Sequence, residues 1–264
     1  MFKELGLQLY TVRDYLKDAD FADLTFKKLH DLGYTEAQTA GDPAFDEKLF
    51  GELLSKHGIS LVGTHFDYKR IMEDPEGTVA THRMWGTDMI GLGAMPGAAR
   101  NDIEGLRSFI ADFNRAAEIY GKEGFRMSYH NHSFEFFRID GYKTIMDVLV
   151  EELDPRITFC LDTCWVAGGG ADPVAWIEKL AGRIDILHLK DLYLKKEDGK
   201  YLPWMAEVGY GNLAWDKIMA AAEKAGVKHY VVEQDANWES PKWFGSNAFK
   251  AVESSAEYIK ANLM

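Results

Sequence analysis

Two kinds of segment alternate along this chain, and their alternation constrains the fold more than any other feature. Short apolar runs suit strands buried on both faces, and each is followed by a stretch whose apolar residues recur with helical spacing. The candidate strands are residues 5–9, 35–39, 60–64, 89–92, 125–129, 158–161, 185–189 and 229–232. The candidate helices are residues 21–32, 46–57, 75–85, 103–120, 142–153, 173–181, 213–225 and 246–263.

Start and stop signals support these helices. Asp20, Asp102 and Asp172 precede three of them and can accept hydrogen bonds from the first free N–H groups. Gly58 and Gly226 follow two others, where glycine commonly ends a helix. Eight strands that alternate with eight helices in 264 residues predict an α/β fold, the (β/α)8 TIM barrel. We expect a single TIM-barrel domain over residues 1–264.

An open doubly wound sheet is the alternative fold. It loses support because no Gly-x-Gly-x-x-Gly pattern follows the first strand candidate and no P-loop is present. The run Gly168-Gly169-Gly170 favours a flexible loop after the sixth strand over a phosphate cradle.

Composition limits the classes of partner. The formal net charge is −12 without a long basic run, which argues against a nucleic-acid surface. The sequence predicts no membrane helix and no signal peptide. Cys160 and Cys164 are too few for a disulfide framework and are expected to be reduced thiols. We expect a cytoplasmic protein that binds a small molecule and that could form a homo-oligomer.

Polar and ionisable side chains collect at the ends of the candidate strands. In a barrel the carboxyl ends of the strands surround the active site, so these residues should converge in space. They are Gln8, Tyr10, Glu36, Gln38, His65, His130, His132, Asp162, His188, Lys190 and Glu233. Each alone could be a hydrogen-bonded residue or a helix cap, but imidazoles and carboxylates together are the ligand set of Mn, Co, Zn or Fe. The sequence therefore predicts one divalent metal ion, whose identity it does not specify.

Several of these segments resemble a known family, the xylose isomerase-like TIM barrels, and within it the sugar phosphate isomerase/epimerase group. The similarity covers nearly the whole chain. It rests on "LGLQLYTVRD", "GTHF", "YHNHSFEF", "EVGYGNLAWDKI" and "YVVEQD", and most specifically on "LDTCWVAGGGADPVAWIEKLAGRIDILHLKD".

The resemblance implies a set of metal ligands. Members typically hold their metal with Glu, Asp, His and Glu from the fifth to eighth strands, and Asp162, His188 and Glu233 match the last three. The fifth strand ends in "HNH" in place of the glutamate, so His130 is the predicted fourth ligand. His132 is either the ligand instead or a contact to the substrate, and Glu135 is a weaker possibility that would rather hold its own loop in place.

The resemblance also implies a reaction, the isomerisation or epimerisation of a small sugar or keto sugar by proton transfer next to a carbonyl. Glu233 is the predicted base, and His132, Lys190 and His65 are candidate partners. A lyase or dehydratase that uses the same enediolate is the alternative, and a non-catalytic sugar-binding barrel is another. Trp165 stands where many members have a histidine, which argues against the DNA-repair chemistry of other members.

Five residues are predicted on the substrate side of the site: His65, Trp165, Gln8, Tyr10 and Glu207. Further aromatic residues in the predicted loops would stack on the C–H faces of a small sugar or polyol, or alternatively pack loops or a subunit interface. They are Tyr201, Trp204, Tyr210, Trp238, Trp243 and Phe244.

Overall fold

The computed structural model describes residues 2–235 and 248–264, and within them eight parallel strands form a nearly closed barrel. From first to eighth, these are Gly6–Gln8, Glu36–Gln38, Ser60–Gly63, Met89–Leu92, Arg126–His130, Thr158–Asp162, Ile184–Leu189 and His229–Val232. The eighth strand pairs with the first. The third and fourth strands meet through single hydrogen bonds such as Phe66 N to Gly91 O at 2.9 Å. The predicted TIM barrel is confirmed, and every strand candidate lies within one residue of an observed strand.

Eight helices correspond to the eight helix candidates. They are Ala19–Asp31, Glu47–Lys56, Pro75–Trp85, Ile103–Lys122, Ile145–Glu152, Pro173–Lys179, Trp215–Ala225 and Ala248–Asn262. The predicted cap Asp102 accepts a hydrogen bond from Gly105 N at 2.7 Å, and Asp172 accepts one from Val174 N at 3.0 Å. These carboxylates satisfy N–H groups that have no partner within the helix.

Two helix starts differ from the prediction. The first helix is capped by Asp18, which accepts from Phe21 N at 2.9 Å, so Asp20 lies inside the first turn and is not the cap. The helix predicted over 142–153 begins at Ile145, because Thr144 and Asp147 form a capping box there. The residues before it form a short antiparallel ribbon, Arg138–Asp140 with Lys143–Thr144.

Other elements near the carboxyl ends of the strands were not predicted. The largest is an antiparallel ribbon in which Asp191–Glu197 pairs with Lys200–Ala206, so Tyr201 and Trp204 lie on a strand and not in a loop. Short helices also form at Tyr68–Glu73 and Thr163–Gly168. The loop predicted at Gly168 is therefore wrong for that residue, which ends a helix. The predicted aromatic residues Trp238, Trp243 and Phe244 lie outside the described residues.

The inside of the barrel is closed by a small apolar layer below the site. Val62, Cys160, Ile186 and Val231 form this layer, separate from the larger core between the strands and the helices. Side chains two positions apart on a strand point to the same side. The residues two positions after Cys160, Ile186 and Val231 are Asp162, His188 and Glu233. The candidate ligands therefore form the next layer up, resting on an apolar floor.

Both cysteines are free and buried, as expected for reduced thiols. Within residues 2–235 and 248–264, no helix combines the length and apolar character needed to cross a membrane.

Candidate metal centre

Four side chains from the ends of four successive strands meet at the mouth of the barrel. His188 Nδ1 lies 3.1 Å from Glu233 Oε2 and 3.5 Å from Asp162 Oδ2, and His130 Nε2 lies 3.7 Å from the same Asp162 oxygen. One ligand atom from each residue falls within 4.8 Å of the others, and all four residues are buried. The structure thus brings together His130, Asp162, His188 and Glu233, which the sequence predicted as metal ligands.

Hydrogen bonds on the far sides of both imidazoles orient them toward this centre. His130 Nδ1 lies 3.0 Å from Gly93 O, and because a carbonyl only accepts, Nδ1 carries the proton. His188 Nε2 lies 2.6 Å from Gln38 Oε1. Each ring is thereby anchored at one nitrogen, so that the other nitrogen faces the carboxylates. A partner of this kind behind a histidine is the usual arrangement in metal sites.

Three of the four ligand atoms have no hydrogen-bond partner among the described residues. They are His130 Nε2, His188 Nδ1 and Asp162 Oδ2, and all three are buried. Leaving a buried polar atom unsatisfied costs roughly 1–3 kcal/mol, so three at one point require an explanation. A cation between them would satisfy all three, and the donor set of two imidazoles and two carboxylates suits a divalent transition metal.

The two carboxylates are held in place by neighbouring groups. Asp162 Oδ1 accepts from Trp165 N at 2.8 Å, which caps the short helix that follows and leaves Oδ2 directed to the centre. Asp162 N donates to Asn131 Oδ1 at 2.9 Å. Burial alone would raise the pKa of Asp162, but Lys190 and the two histidines outweigh it and hold this pKa below its usual value.

Without a bound metal, the surroundings of His188 favour its positively charged form. Burial opposes its charged form, but Cys160, Glu233 and Asp162 outweigh that effect and raise the pKa of His188. A bound metal would replace the proton at Nδ1, since only an unprotonated nitrogen can coordinate.

Lys190 places a fully buried ammonium group beside the cluster. Its Nζ lies 2.5 Å from Asp235 Oδ2, 3.3 Å from Glu233 Oε2 and 3.6 Å from Asp162 Oδ2. It also lies 4.6 Å from the centre of the Trp165 ring. Burial works against the charge, but these carboxylates outweigh it and raise the pKa of Lys190 well above its ordinary value. Lys190 is therefore a cation and hydrogen-bond donor at neutral pH.

His65 and His132 both border the cluster. The ring of His130 is 4.8 Å from that of His65 and 4.7 Å from that of His132, measured between ring centres. His65 Nε2 and His132 Nδ1 are buried atoms without a hydrogen-bond partner in the described chain. Burial lowers the pKa of His132 to about 3 and also lowers that of His65, so both rings are neutral near pH 7.

Other residues predicted on the substrate side lie at different distances from the centre. Trp165 is close, with its ring 5.5 Å from that of His132. Gln8 is fully buried behind the cluster. Tyr10 is 40% exposed at the rim, where Arg13 packs on its ring. Glu207 is buried just after the ribbon strand Lys200–Ala206, and its carboxylate is not one of the grouped ligands.

The family of the chain follows from a comparison of its sequence with family profiles. The profile described as xylose isomerase-like TIM barrel matches residues 26–261. The chain belongs to this family.

Solved structures of xylose isomerase-like barrels share the fold at low sequence identity. A sugar phosphate isomerase/epimerase from Parabacteroides distasonis ATCC 8503 has a TM-score of 0.80 at 24% identity, over 99% of this chain and 94% of its own. The probable 3-DHS dehydratase AsbF from Bacillus anthracis scores 0.72 at 14% identity, over 98% of this chain and 99% of its own. An L-ribulose 3-epimerase scores 0.73 at 15% identity, over 98% and 94%. A comparison with curated proteins found no match.

Within the xylose isomerase-like framework, the fifth strand is where this chain departs from the expected glutamate. His130 lies in the group of four and His132 lies outside it. Glu135 is engaged elsewhere, because its two oxygens accept from Tyr129 Oη at 2.6 Å and from His132 N at 2.7 Å. Glu135 thus holds the loop in place and is not part of the group of four candidate ligands.

Sequence reasoning missed four supporting groups of this xylose isomerase-like barrel: Gly93 O, Asn131, Asp235 and the role of Gln38. A partial signal for Asp235 was present, because it follows Glu233 by two positions, as Lys190 follows His188. Residues in such a step face the same side of an extended chain. The contact of Gln38 with His188 joins residues 150 positions apart, and no local pattern announces it.

Proposed function

We propose that this chain is a divalent-metal-dependent isomerase or epimerase that acts on a small sugar or keto sugar by moving a proton next to a carbonyl group. The observation that carries the proposal is the group of four buried candidate ligand atoms, three of which have no hydrogen-bond partner among the described residues. Membership of the xylose isomerase-like family supports an enzyme of this broad kind.

His130, Asp162, His188 and Glu233 are the residues that would hold the metal. When bound there, a divalent ion supplies Lewis-acid chemistry, orienting two neighbouring substrate oxygens and polarising the carbonyl. Mn, Co, Zn and Fe all accept this donor set, so the choice among them is left to metal analysis.

Glu233 is the group best suited to take the proton from the carbon next to the carbonyl. The Lys190 ammonium at 3.3 Å and the His188 ring at 3.1 Å favour its ionised form, and only that form accepts a proton. Glu233 lies at the end of the eighth strand, above the apolar floor, and is buried.

Two side chains are placed to handle the proton after its removal. Lys190 presents a buried ammonium next to Glu233 and can donate a hydrogen bond to developing negative charge on the substrate. His132 is a neutral ring at the other side of His130 and can exchange a proton with the substrate. Return of the proton to the neighbouring carbon gives an isomerase, and return to the opposite face gives an epimerase.

A lyase or dehydratase is a second candidate, because His130 stands in place of a second glutamate. The cluster then has one carboxylate base, Glu233, beside one buried ammonium, Lys190. The expulsion of a β-leaving group needs one base and one group that stabilises the departing oxygen. Glu233 takes the proton and, once protonated, can pass it to that oxygen, while the Lys190 ammonium donates a hydrogen bond to the charge that develops there. Both reactions pass through the same enediolate.

The mouth of the barrel suits a small polyol. The indole ring of Trp165 lies next to Lys190 and His132 and has a flat apolar face. The C–H faces of sugars stack on aromatic faces of this kind. A non-catalytic sugar-binding barrel would use the same face but would require no metal. A metal content below about 0.2 equivalents after growth with added Mn, Co, Zn and Fe would favour that alternative, against the one equivalent expected for a single site.

Isotope exchange tests the proposal. The metal-reconstituted protein is incubated in D₂O with a panel of keto sugars and glycosides, and products are analysed by NMR and mass spectrometry. We expect deuterium at the carbon next to the carbonyl, in an isomer or epimer for the first candidate and in an unsaturated or eliminated product for the second. Glu233→Gln should abolish the exchange, whereas Glu151→Gln on the exposed surface should leave it intact. Exchange that persists in Glu233→Gln would remove Glu233 from the mechanism.

A further inference from the structure

A chain of hydrogen bonds behind the cluster begins at a backbone N–H group. Tyr10 N donates to Gln8 Oε1 at 3.2 Å. A backbone N–H can only donate, so the oxygen of the Gln8 amide must lie on that side. The orientation of this amide is therefore fixed by the backbone, and its NH₂ group faces inward.

The NH₂ group of Gln8 meets two acceptors. Nε2 lies 3.0 Å from Gln38 Oε1 and 3.0 Å from His65 Nδ1. One hydrogen of this group is donated to Gln38 Oε1 and the other to His65 Nδ1. His65 Nδ1 must therefore be unprotonated, with its lone pair directed to Gln8. A neutral imidazole with an unprotonated Nδ1 carries its proton on Nε2.

The amide of Gln38 determines which nitrogen of His188 carries a proton. Gln38 Oε1, which already accepts from Gln8, lies 2.6 Å from His188 Nε2, so that nitrogen must be a donor. The amide nitrogen of Gln38 faces Cys160 Sγ at 3.8 Å, which is consistent with this orientation. The two amides thus set both rings: His188 turns Nδ1 to the metal centre, whereas His65 carries its N–H at Nε2.

His65 Nε2 is a buried donor without a partner in the described part of the chain. The ring lies 4.8 Å from His130 and 5.6 Å from His188, between ring centres, so it borders the cluster. His65, Cys160 and His188 also form a second group with ligand atoms within 4.8 Å. Because Nδ1 of His65 accepts from Gln8 and Nε2 carries the proton, His65 has no free lone pair for a metal, so this second group is poorly suited to coordination.

We propose that Gln8 and Gln38 are positioning residues that fix the tautomers of His65 and His188, and that His65 donates a hydrogen bond from Nε2 to an acceptor oxygen of the substrate. In this role His65 is neither a metal ligand nor a base. The substrate oxygen it selects is a carbonyl or an oxygen on which negative charge develops. The tautomer claim stands on the hydrogen bonds alone, and the donor role rests on the proposed function.

The tautomer of His65 is measured directly by ¹⁵N NMR of metal-free protein labelled at histidine, with His65 assigned from the spectrum of His65→Gln. We expect Nε2 of His65 to be protonated and Nδ1 unprotonated. Gln8→Glu puts an acceptor where the NH₂ group was, so the proton should appear on Nδ1. If Gln8→Glu does not fold, Gln8→Met takes its place. Methionine removes the donor, so His65 should then show a mixture of its two tautomers.

Gln234→Glu is the matched control, because this buried glutamine donates to Ala206 O and belongs to a separate hydrogen bond. The His65 signals should not change in that variant. Protonated Nδ1 in the wild-type protein, or unchanged His65 signals in both Gln8 variants, would overturn the tautomer assignment. Neither result depends on metal or turnover, so it is distinct from a failure of the proposed function.

The donor role is tested by kinetics once a substrate is found. Removing one donor to a developing oxyanion typically lowers kcat by about 10²–10³-fold. We expect that loss for His65→Leu, and a smaller loss for His65→Gln, which keeps an N–H group. Equal activities of the two variants would contradict a donor role even if the exchange reaction itself is established.

Discussion

The two ends of the same barrel treat charge in opposite ways. At the amino ends of the strands, Asp185 meets both Arg126 and Lys228. Glu36 was expected at the carboxyl ends, but it is the first residue of its strand and lies here, with Oε1 2.9 Å from His229 Nδ1. At the carboxyl ends of the fifth to eighth strands, His130, Asp162 and His188 keep buried atoms that have no hydrogen-bond partner within residues 2–235 and 248–264. In TIM barrels the first end generally supports stability and the second carries the chemistry.

The two ends differ in how their charges affect stability. At the amino ends of the strands, called the lower end below, opposite charges pair and stabilise the fold. At the carboxyl ends, called the upper end, two carboxylates of like charge are held together beside an ammonium group and two imidazoles. Substitutions at the upper end should therefore change metal binding and turnover without loss of fold, and substitutions at the lower end should do the reverse.

The largest effect is expected for Glu233→Gln at the upper end. Loss of the base should lower turnover by about 10²–10⁴-fold, the usual contribution of general acid–base catalysis. The neutral amide removes a charge from a crowded group, so circular dichroism and the thermal midpoint should report an intact barrel. An unfolded variant would mean that the upper end also supports stability, and the contrast between the ends would fail.

A matched pair of variants tests which histidine of the fifth strand belongs to the centre. His130→Gln should weaken metal binding by about 100-fold or more, as loss of a ligand exceeds the 10- to 100-fold cost of losing a supporting group. His132→Gln, two positions on, should weaken it by about 10-fold or less. Titration of the metal-free proteins with Zn²⁺ or Mn²⁺ under calorimetry measures both. The reverse order would assign the ligand to His132.

At the amino ends of the strands, Asp185→Asn should reduce the free energy of unfolding by about 1.5–3 kcal/mol, the range for hydrogen bonds to a charged group. Asp185 is buried and contacts two cations, so its loss leaves Lys228 without its carboxylate partner and leaves Arg126 with Asp88 alone. Urea unfolding measures the change, and metal affinity should stay at the wild-type value. Asp31→Asn, in an exposed pair with Lys27, is the control and should leave the midpoint unchanged. A lower metal affinity in Asp185→Asn would show that the ends are coupled.

An effect that depends on pH is expected for a buried acid that belongs to neither group. Burial raises the pKa of Glu135 to about 8 from the usual 4.5, although Tyr129 and His132 N donate to it. The folded protein then binds a proton that the unfolded chain has lost, so this residue should make stability fall as pH rises from about 4.5 to about 8. Glu135→Gln should flatten that part of the stability profile, measured by urea unfolding at several pH values. An unchanged slope would show that Glu135 is ionised in the fold.

The fold and the polar residues at the mouth of the barrel were accessible from the sequence because both follow a short-range rule, whereas the choice of His130, Asp162, His188 and Glu233 as candidate ligands came from the family resemblance. Each apolar run marks a strand, and the residue that follows the last interior apolar position must enter the mouth of the barrel. Cys160 and Asp162 show the pattern, as do Ile186 and His188. The charged residues are exceptions to an apolar strand, so they stand out.

The supporting contacts were not accessible because they join distant segments. Gln38 was visible as a strand-end residue, but its contact with His188 depends on the closure of the barrel. His130 and His132 share one side of the chain, and only the position of Gly93 O and the geometry of the group distinguish them. The ribbon of Asp191–Glu197 and Lys200–Ala206 was not predicted, because its strands contain many charged residues and the segment was expected to be a loop.

The most direct test of the account is a crystal structure of the metal-soaked protein with anomalous data collected at the metal absorption edge. We predict one strong peak bonded to His130 Nε2, Asp162 Oδ2, His188 Nδ1 and a Glu233 oxygen. An empty centre at full metal concentration, or a peak bonded instead to His65 and Cys160, would contradict it.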